Sequence, residues 1–181
     1  PIGETLTLLR NVLDPWLGEP QRKFKQGRVN LVYRFKSNDS PPMKLRLKIE
    51  INSREHFSEL GLVRVPFEVK NQWFQGQVKV TSFPINELLG TKLRALYQRK
   101  KGRDLFDLWY ALRSEETNSE AILACFNRYM SEGGHFVTRA QFEANLHEKS
   151  GRKDFRQDMD VLLRREISWD SNQNAATCLK W

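Results

Sequence analysis

From Lys44 to Ile51 hydrophobic and charged residues alternate without a break. Leu45, Leu47, Ile49 and Ile51 fall on one side, and Lys44, Arg46, Lys48 and Glu50 on the other. A two-residue period of this kind predicts a β-strand with one apolar and one polar face. Just upstream, Val29 to Lys36 is dense in β-branched and aromatic residues. Asn38-Asp39-Ser40-Pro41-Pro42 between the two runs is a turn signal, so the pair predicts an antiparallel hairpin. Val63 to Val69 and Gln77 to Thr81 predict two further short strands, with Asn71 to Gly76 as their turn. Ahead of the first hairpin, Glu4 to Leu13 has a helical pattern that Asp14-Pro15 is expected to end.

The period changes near residue 82. Pro84 suits the first turn of a helix and Glu87 suits its positive end, predicting a helix to about Arg99. Lys101-Gly102 interrupts the pattern, and a second helix is expected from Arg103 to Arg113. Ser119 reads as the cap of a third helix running to Met130, with Gly133-Gly134 after it. Thr138 with Gln141 forms a capping-box pattern for a fourth, to His147. Asp154 to Arg164 predicts a fifth, and periodicity fades from Ser168 onward. The reading is an α+β fold, with β-rich residues 1–82 and a helical portion 83–181. No Gly/Ser/Pro-rich linker separates them into independent domains.

Composition narrows the partners. The formal net charge is +8 with a pI near 9.7, a balance that favours polyanions such as nucleic acid, nucleotides or an acidic protein. A chain of this length buries roughly two-thirds of its unfolded surface, so disulfides are not required. Cys125 and Cys178 lack metal or redox spacing and read as reduced thiols, with Cys125 in an apolar helical run. No apolar run approaches the ~20 residues that span a bilayer, and no signal peptide is evident, which gives a cytoplasmic expectation. His56, His135 and His147 show no metal-ligand spacing.

Candidate chemistry gathers between Lys92 and Asp107. The first helix of the second half carries an apolar stripe of Ile85, Leu88, Leu89, Leu93 and Leu96, and Lys92 falls on that same side. A lysine there either snorkels to the edge or meets a carboxylate or a ligand phosphate. Arg94, Arg99, Lys100, Lys101 and Arg103 follow, readable as a solvated charged run or as a phosphate-binding patch. On the next helix Asp104 and Asp107 are three apart and share one side, beside a core stripe of Leu105, Leu108, Trp109 and Leu112. Asp104 suits a first helical turn on its own account, whereas Asp107 is a mediocre mid-helix residue. Glu50, the only acid among Lys44, Arg46 and Lys48, is either a cross-strand salt bridge or a carboxylate at a sheet surface that takes a nucleotide and metal. Together the cations and carboxylates have the make-up of phosphoryl-transfer equipment.

The run Phe83 to Leu112, FPINELLGTKLRALYQRKKGRDLFDLWYAL, resembles the AbiEii/AbiGii toxin family of nucleotidyltransferases. Glu87, Leu88, Lys92 to Leu96, Arg99, Lys101 and Arg103 to Leu108 fit the family's helix pattern E-L-x-x-x-K-L-R-A-L-x-x-R-x-K-x-R-D-h-h-D-L without a gap. The strand LKIEI and the ending Asp158 to Leu163 with Trp169-Asp170 fit as well. The resemblance implies part of a polymerase-β-like nucleotidyltransferase sheet followed by a helical C-terminal portion. It implies a toxin of a toxin–antitoxin or phage-defence (abortive infection) system in bacteria, similar to the MenT toxins. Such a toxin uses a nucleoside triphosphate and Mg2+, with the tRNA 3′ end as acceptor in some relatives and a winged-helix antitoxin as cognate partner. By motif position, Lys92 would contact the nucleotide phosphates and Asp107 would be the catalytic carboxylate. Asp104 and Arg103 would support them, with Arg99, Lys101 and Arg103 in the nucleotide-binding set and Glu50 as a third, metal-directed sheet carboxylate.

One departure is large. The family's glycine-rich turn with Ser or Thr, followed by a D-x-D pair, is not in this sequence. Gly3-Glu4-Thr5 is not that turn, and Asp158-Met159-Asp160 falls on a predicted helix. The expectation is that the motif precedes Pro1, so that the principal Mg2+ ligands lie upstream and this chain alone is inactive. Two other readings stand beside the enzyme: a catalytically incomplete basic module that binds RNA or an antitoxin, and an unrelated α+β domain in which Lys92 and Asp107 are a structural ion pair.

Overall fold

The computed structural model describes residues 2–52, 55–113, 117–160, 162–163, 167, 169–170 and 175. It is an α+β chain that divides into two compact units, residues 1–57 and 58–181. The change from strand to helix near residue 82 therefore falls inside the second unit.

In the first unit, helix α1 (Ile2–Leu17) precedes a three-stranded antiparallel sheet of β1 (Gln21–Lys25), β2 (Arg28–Lys36) and β3 (Lys44–Asn52), in the order β1-β2-β3. The β2–β3 register pairs Leu31 with Ile49, Tyr33 with Leu47 and Phe35 with Leu45, so these residues share one face. Leu31, Tyr33 and Leu17 form a buried cluster against that face, joined by Leu6, Leu9 and Leu13 of α1. The Tyr33 hydroxyl donates to Asp14 Oδ1 at 2.8 Å, and Asp14 also pairs with Arg10 at 2.7 Å. Burial and the Asp14 carboxylate push the Tyr33 phenol up to about 12.

Two sequence expectations need correction here. The first helix does not end at Asp14-Pro15 but continues to Leu17, with Pro15 inside its last turn. A proline there forfeits one backbone hydrogen bond, and buried Leu17 holds the turn in place. The stop is Gly18, whose φ of 77° is open to glycine and whose N–H donates to the Asp14 carbonyl at 2.9 Å. Strand β1 has no counterpart in the sequence reading. Its residues, QRKFK, are all exposed and hold no apolar pattern. They become a strand because Gly27, at φ 70°, lets the chain turn back onto β2.

In the second unit, β4 (Val63–Lys70) and β5 (Gln75–Ser82) pair as an antiparallel hairpin. Asn71 makes its turn by accepting from the N–H groups of Trp73 and Phe74, both at 2.9 Å. Helices α2 (Ile85–Gln98), α3 (Gly102–Ala111), α4 (Ser119–Glu132), α5 (Arg139–Ser150) and α6 (Lys153–Arg156) follow, with a 3-10 turn at Gln157–Met159. Their core is Leu89, Leu96, Leu105, Leu108, Ile122, Leu146 and Phe155. α2 and α4 approach so closely that a Cβ on Gly90 would stand 2.6 Å from the Cys125 Cβ and 2.9 Å from the Ile122 carbonyl oxygen. Cys125 is buried in this contact, and burial pushes its thiol up.

The capping box at Thr138 and Gln141 is present in both directions. The cap of α4 is Asn118 rather than Ser119. Its side chain accepts from the Ala121 N–H at 3.0 Å, and it sits one residue further out where the backbone is extended. The apolar stripe assigned to α2 is rotated. Ile85 and Leu88 are exposed, while Glu87, Leu89, Gly90 and Leu96 are the buried positions. Among the described residues the fifth predicted helix is the four residues of α6 and the 3-10 turn after it. Val161, Arg164 and Cys178 lie outside the described residues.

Candidate active site

α2 and α3 are joined by three residues, and both flanking positions, Arg99 and Lys101, are extended. This short connection folds the last two turns of α2 back onto the first two turns of α3. Lys92 and Asp107 are thereby brought into contact, with Lys92 Nζ 2.9 Å from Asp107 Oδ2 and 3.4 Å from Asp104 Oδ1. Arg99 closes the group through Nη2, 3.0 Å from Asp104 Oδ1. The four residues form one charged seam of two cations and two carboxylates.

The two aspartates differ in setting. Asp104 is 2% exposed and Asp107 about half-exposed. Asp104 Oδ1 carries both cations, while its Oδ2 is buried with no hydrogen-bond partner among the described residues. Asp104 therefore fixes the position of the Lys92 and Arg99 heads, and Asp107 is the carboxylate that solvent or a ligand can reach. Lys92 has its stem against the helices and its ammonium at the edge, which combines both options open to a lysine on an apolar side.

The remaining cations of the predicted nucleotide-binding set form a separate group. Lys101 Nζ and Arg103 Nε each lie 3.6 Å from Asp158, whose Oδ2 also accepts from the Arg103 N–H at 3.2 Å. Between them Gly102 is pressed against the backbone of α6, where an added Cβ would sit 2.1 Å from the Phe155 carbonyl oxygen. No side chain larger than hydrogen fits, so the glycine and Asp158 together lock the connection between α2 and α3. Asp158 has no role in the sequence reading, because its partners are more than fifty residues away and nothing local marks it.

Glu87 is a second buried carboxylate, which the sequence reading placed at a helix start and in the family pattern but gave no role. It is fully buried, and the hydrogen bonds it accepts among the described residues come from uncharged donors. It accepts from the Ser58 hydroxyl at 2.8 Å, the Glu59 N–H at 2.8 Å, the Leu60 N–H at 2.9 Å and the Tyr129 hydroxyl at 2.7 Å. Burial pushes this carboxyl up, but the hydrogen bonds from Leu60, Tyr129, Glu59 and Ser58 outweigh it and hold the group below its ordinary range. It clips residues 58–60 to α2 and α4.

Glu50 lies in the other unit, on the polar face of β3. Arg28 pairs with it at 3.0 Å and Lys48 binds it directly. The Lys48 hydrogen bond, aided by Arg28, keeps its carboxyl below the usual range. Among the described residues no three His, Cys, Asp or Glu side chains gather where they could hold a metal ion by themselves. Each carboxylate of the predicted set already faces cations, so these residues do not fit a resident magnesium site.

An apolar groove lined by Leu93, Leu108, Leu112, Ile122, Phe126 and Phe142 lies elsewhere on the helices and includes neither Lys92 nor the two aspartates. Among the described residues no helix is long and apolar enough to cross a membrane.

The α+β make-up of the chain, helices with small antiparallel sheets, is consistent with a nucleotidyltransferase-like fold. The chain belongs to the AbiEii family: the family model described as nucleotidyl transferase AbiEii toxin, type IV toxin–antitoxin system, matches residues 3–176. It is thus a member of a family of toxin nucleotidyltransferases. No curated protein and no solved structure matches it.

Proposed function

We propose that the protein transfers a nucleotide from a nucleoside triphosphate to an RNA hydroxyl, with the tRNA 3′ end as acceptor, and that α2 and α3 carry the transfer machinery. The observation that supports this is the 2.9 Å contact between Lys92 Nζ and Asp107 Oδ2 at an accessible edge. The attacking hydroxyl bonds to the α-phosphorus, its proton passes to a carboxylate, and pyrophosphate leaves. Asp107 is the exposed carboxylate able to take that proton. Lys92 supplies positive charge where the phosphoryl oxygens gain negative charge. Asp104 is a positioning residue that holds Lys92 and Arg99. Lys101 and Arg103, fixed through Asp158, add cationic surface for the triphosphate.

Magnesium enters this reading with the triphosphate, which supplies most of its ligands. The chain has no D-x-D pair of the family kind, so we propose that on its own it does not turn over. The type IV classification implies an antitoxin, and a winged-helix protein is the partner we propose. The setting is the bacterial cytoplasm, where RNA and nucleotide meet.

Radiolabelled-nucleotide transfer to total tRNA, measured on the full-length protein, tests the reading. Asp107→Ala and Lys92→Ala are each expected to abolish labelling while the fold is kept. Labelling retained by both variants would remove this mechanism.

A further inference from the structure

The strand registers of the first unit place a second set of charges on one surface. Opposite the apolar face that α1 covers, the same three strands present Lys23 and Lys25 of β1, Arg28, Arg34 and Lys36 of β2, and Lys44, Arg46 and Lys48 of β3. All eight are exposed, and Glu50 is the one acid among them. Glu50 occupies Arg28 and Lys48, and Arg34 donates to Gln21 at 3.0 Å. Lys23, Lys25, Lys36, Lys44 and Arg46 have no ion pair among the described residues. So dense a field of one sign repels itself, and among the described residues Glu50 is the one acid on the face to offset it.

We propose that this cationic sheet face docks the sugar-phosphate backbone of helical RNA. Alternate residues on a strand lie about 7 Å apart and neighbouring strands about 5 Å apart, so the face is a lattice of positive points roughly 30 Å long. Such a lattice suits a repeating row of phosphates. The face holds no aromatic residue, since Phe24, Tyr33 and Phe35 all lie on the opposite side. It has nothing on which unpaired bases could stack, which disfavours single strands. An acidic protein is the weaker fit, because protein interfaces are built on an apolar centre depleted in lysine. Here the single apolar side chain, Val32, is buried. The inference shares with the proposed function only that both involve RNA. Its residues lie in the other unit and its test reads binding, so either can fail alone.

Fluorescence anisotropy of a labelled RNA duplex with the whole chain tests it, with the matching single strand, a DNA duplex and polyglutamate as parallel probes. Five free cations predict a slope of about −4 to −5 in log affinity against log salt, a loss of roughly 10²- to 10³-fold between 50 and 200 mM. Lys44→Glu with Arg46→Glu should weaken duplex binding more than tenfold and lower the slope by about 2. A control with the same change in net charge, Lys70→Glu with Lys79→Glu on the β4–β5 hairpin, should bind within twofold of wild type. Equal loss in the control would show that net charge alone attracts the RNA, and would overturn the proposal. Tighter binding of the single strand, or binding of polyglutamate but not RNA, would overturn it as well. Equal binding of DNA and RNA duplexes supports the phosphate contact and assigns sugar selectivity elsewhere. Near-identical circular dichroism of the variants confirms that loss of binding is not loss of fold.

Discussion

The Tyr129 hydroxyl donates to Glu87 Oε1 at 2.7 Å across the α2–α4 contact, and both residues are buried. Glu87 is a buried carboxylate that accepts from Ser58, Glu59, Leu60 and Tyr129, all uncharged donors. Glu87→Gln removes the charge and replaces one accepting oxygen with an NH2 group that faces donors. Leaving such groups unpaired costs about 1–3 kcal/mol each, so the variant should lose about 2–4 kcal/mol by urea unfolding. Tyr129→Phe removes one donor and should lose less, about 1–2 kcal/mol. A change below half a kilocalorie in Glu87→Gln would show that residues 58–60 do not depend on the carboxylate.

The same carboxylate predicts a pH dependence. Its folded pKa lies below the ordinary value, so the unfolded chain binds the proton more readily. The stabilisation is fully present above the unfolded pKa of about 4.3 and is lost as pH falls through the folded value. Unfolding measured from pH 6 downward should therefore show a steeper acid loss in wild type than in Glu87→Gln. Parallel curves would rule out this linkage.

What the sequence made legible follows from how local each signal is. The Lys44–Ile51 alternation fixed a strand, its apolar face and its pairing with Val29–Lys36, because a two-residue period needs no distant information. The capping box at Thr138 is equally local. Strand β1 was not readable, since QRKFK is a strand only through its partner. The stripe on α2 was misjudged because Glu87 and Gly90 are buried by residues 58–60 and by α4, which lie 27 or more residues away. Within the candidate site, Lys92, Asp104 and Asp107 share one seam because both helices are consecutive and the connection is short. Asp158 is held to Arg103 across 55 residues, and no local pattern announces such a contact.

Lys149 gives a test in the alkaline range. It is buried at the C-terminal end of α2, where its ammonium donates to the Leu96 and Tyr97 carbonyls at 2.6 and 2.5 Å. Burial, with Lys100 nearby, pushes it down to about 8. The folded pKa is thus below the unfolded one of about 10.4, and between the two values the unfolded state binds more protons. The Lys149 contribution to stability should be flat below pH 8 and rise from pH 8 to 10. Lys149→Met should be less stable throughout by about 1–3 kcal/mol, because buried carbonyls lose their donor. Its gap from wild type should widen above pH 8, and a gap that narrows there would contradict the assignment.

Gly102→Ala tests the lock on the α2–α3 connection. A Cβ would meet the Phe155 carbonyl oxygen at 2.1 Å, and a backbone oxygen cannot rotate away. The chain from Lys101 to Arg103 must shift, at a cost of about 1–3 kcal/mol for overpacking. Displacing it also pulls Lys101 and Arg103 from Asp158, so in the full-length protein triphosphate KM should rise at least as much as kcat falls. Unchanged stability and unchanged KM together would show that the close approach is not needed.

Asp104 and Asp107 are three residues apart and should fail in different ways. Asp107 is half-exposed, and its pair with Lys92 is worth about 0–1 kcal/mol to the fold. Asp107→Asn should therefore leave the unfolding midpoint nearly unchanged while kcat drops by about 10²- to 10⁴-fold, the range for loss of a general base. Asp104 is buried and faces both Lys92 and Arg99. Asp104→Asn leaves two cations without their shared counter-charge, and breaking a buried pair costs about 3–5 kcal/mol. With Arg99 more than half-exposed, the loss should fall at or below the lower end of that range. Its catalytic defect should appear chiefly as weaker triphosphate binding, because Lys92 keeps only its contact with Asp107 and Arg99 loses its carboxylate partner. Urea unfolding, with steady-state kinetics of the same variants in the full-length protein, separates the roles. If Asp104→Asn is as stable as wild type and Asp107→Asn keeps its kcat, the division into a positioning and a proton-accepting carboxylate fails.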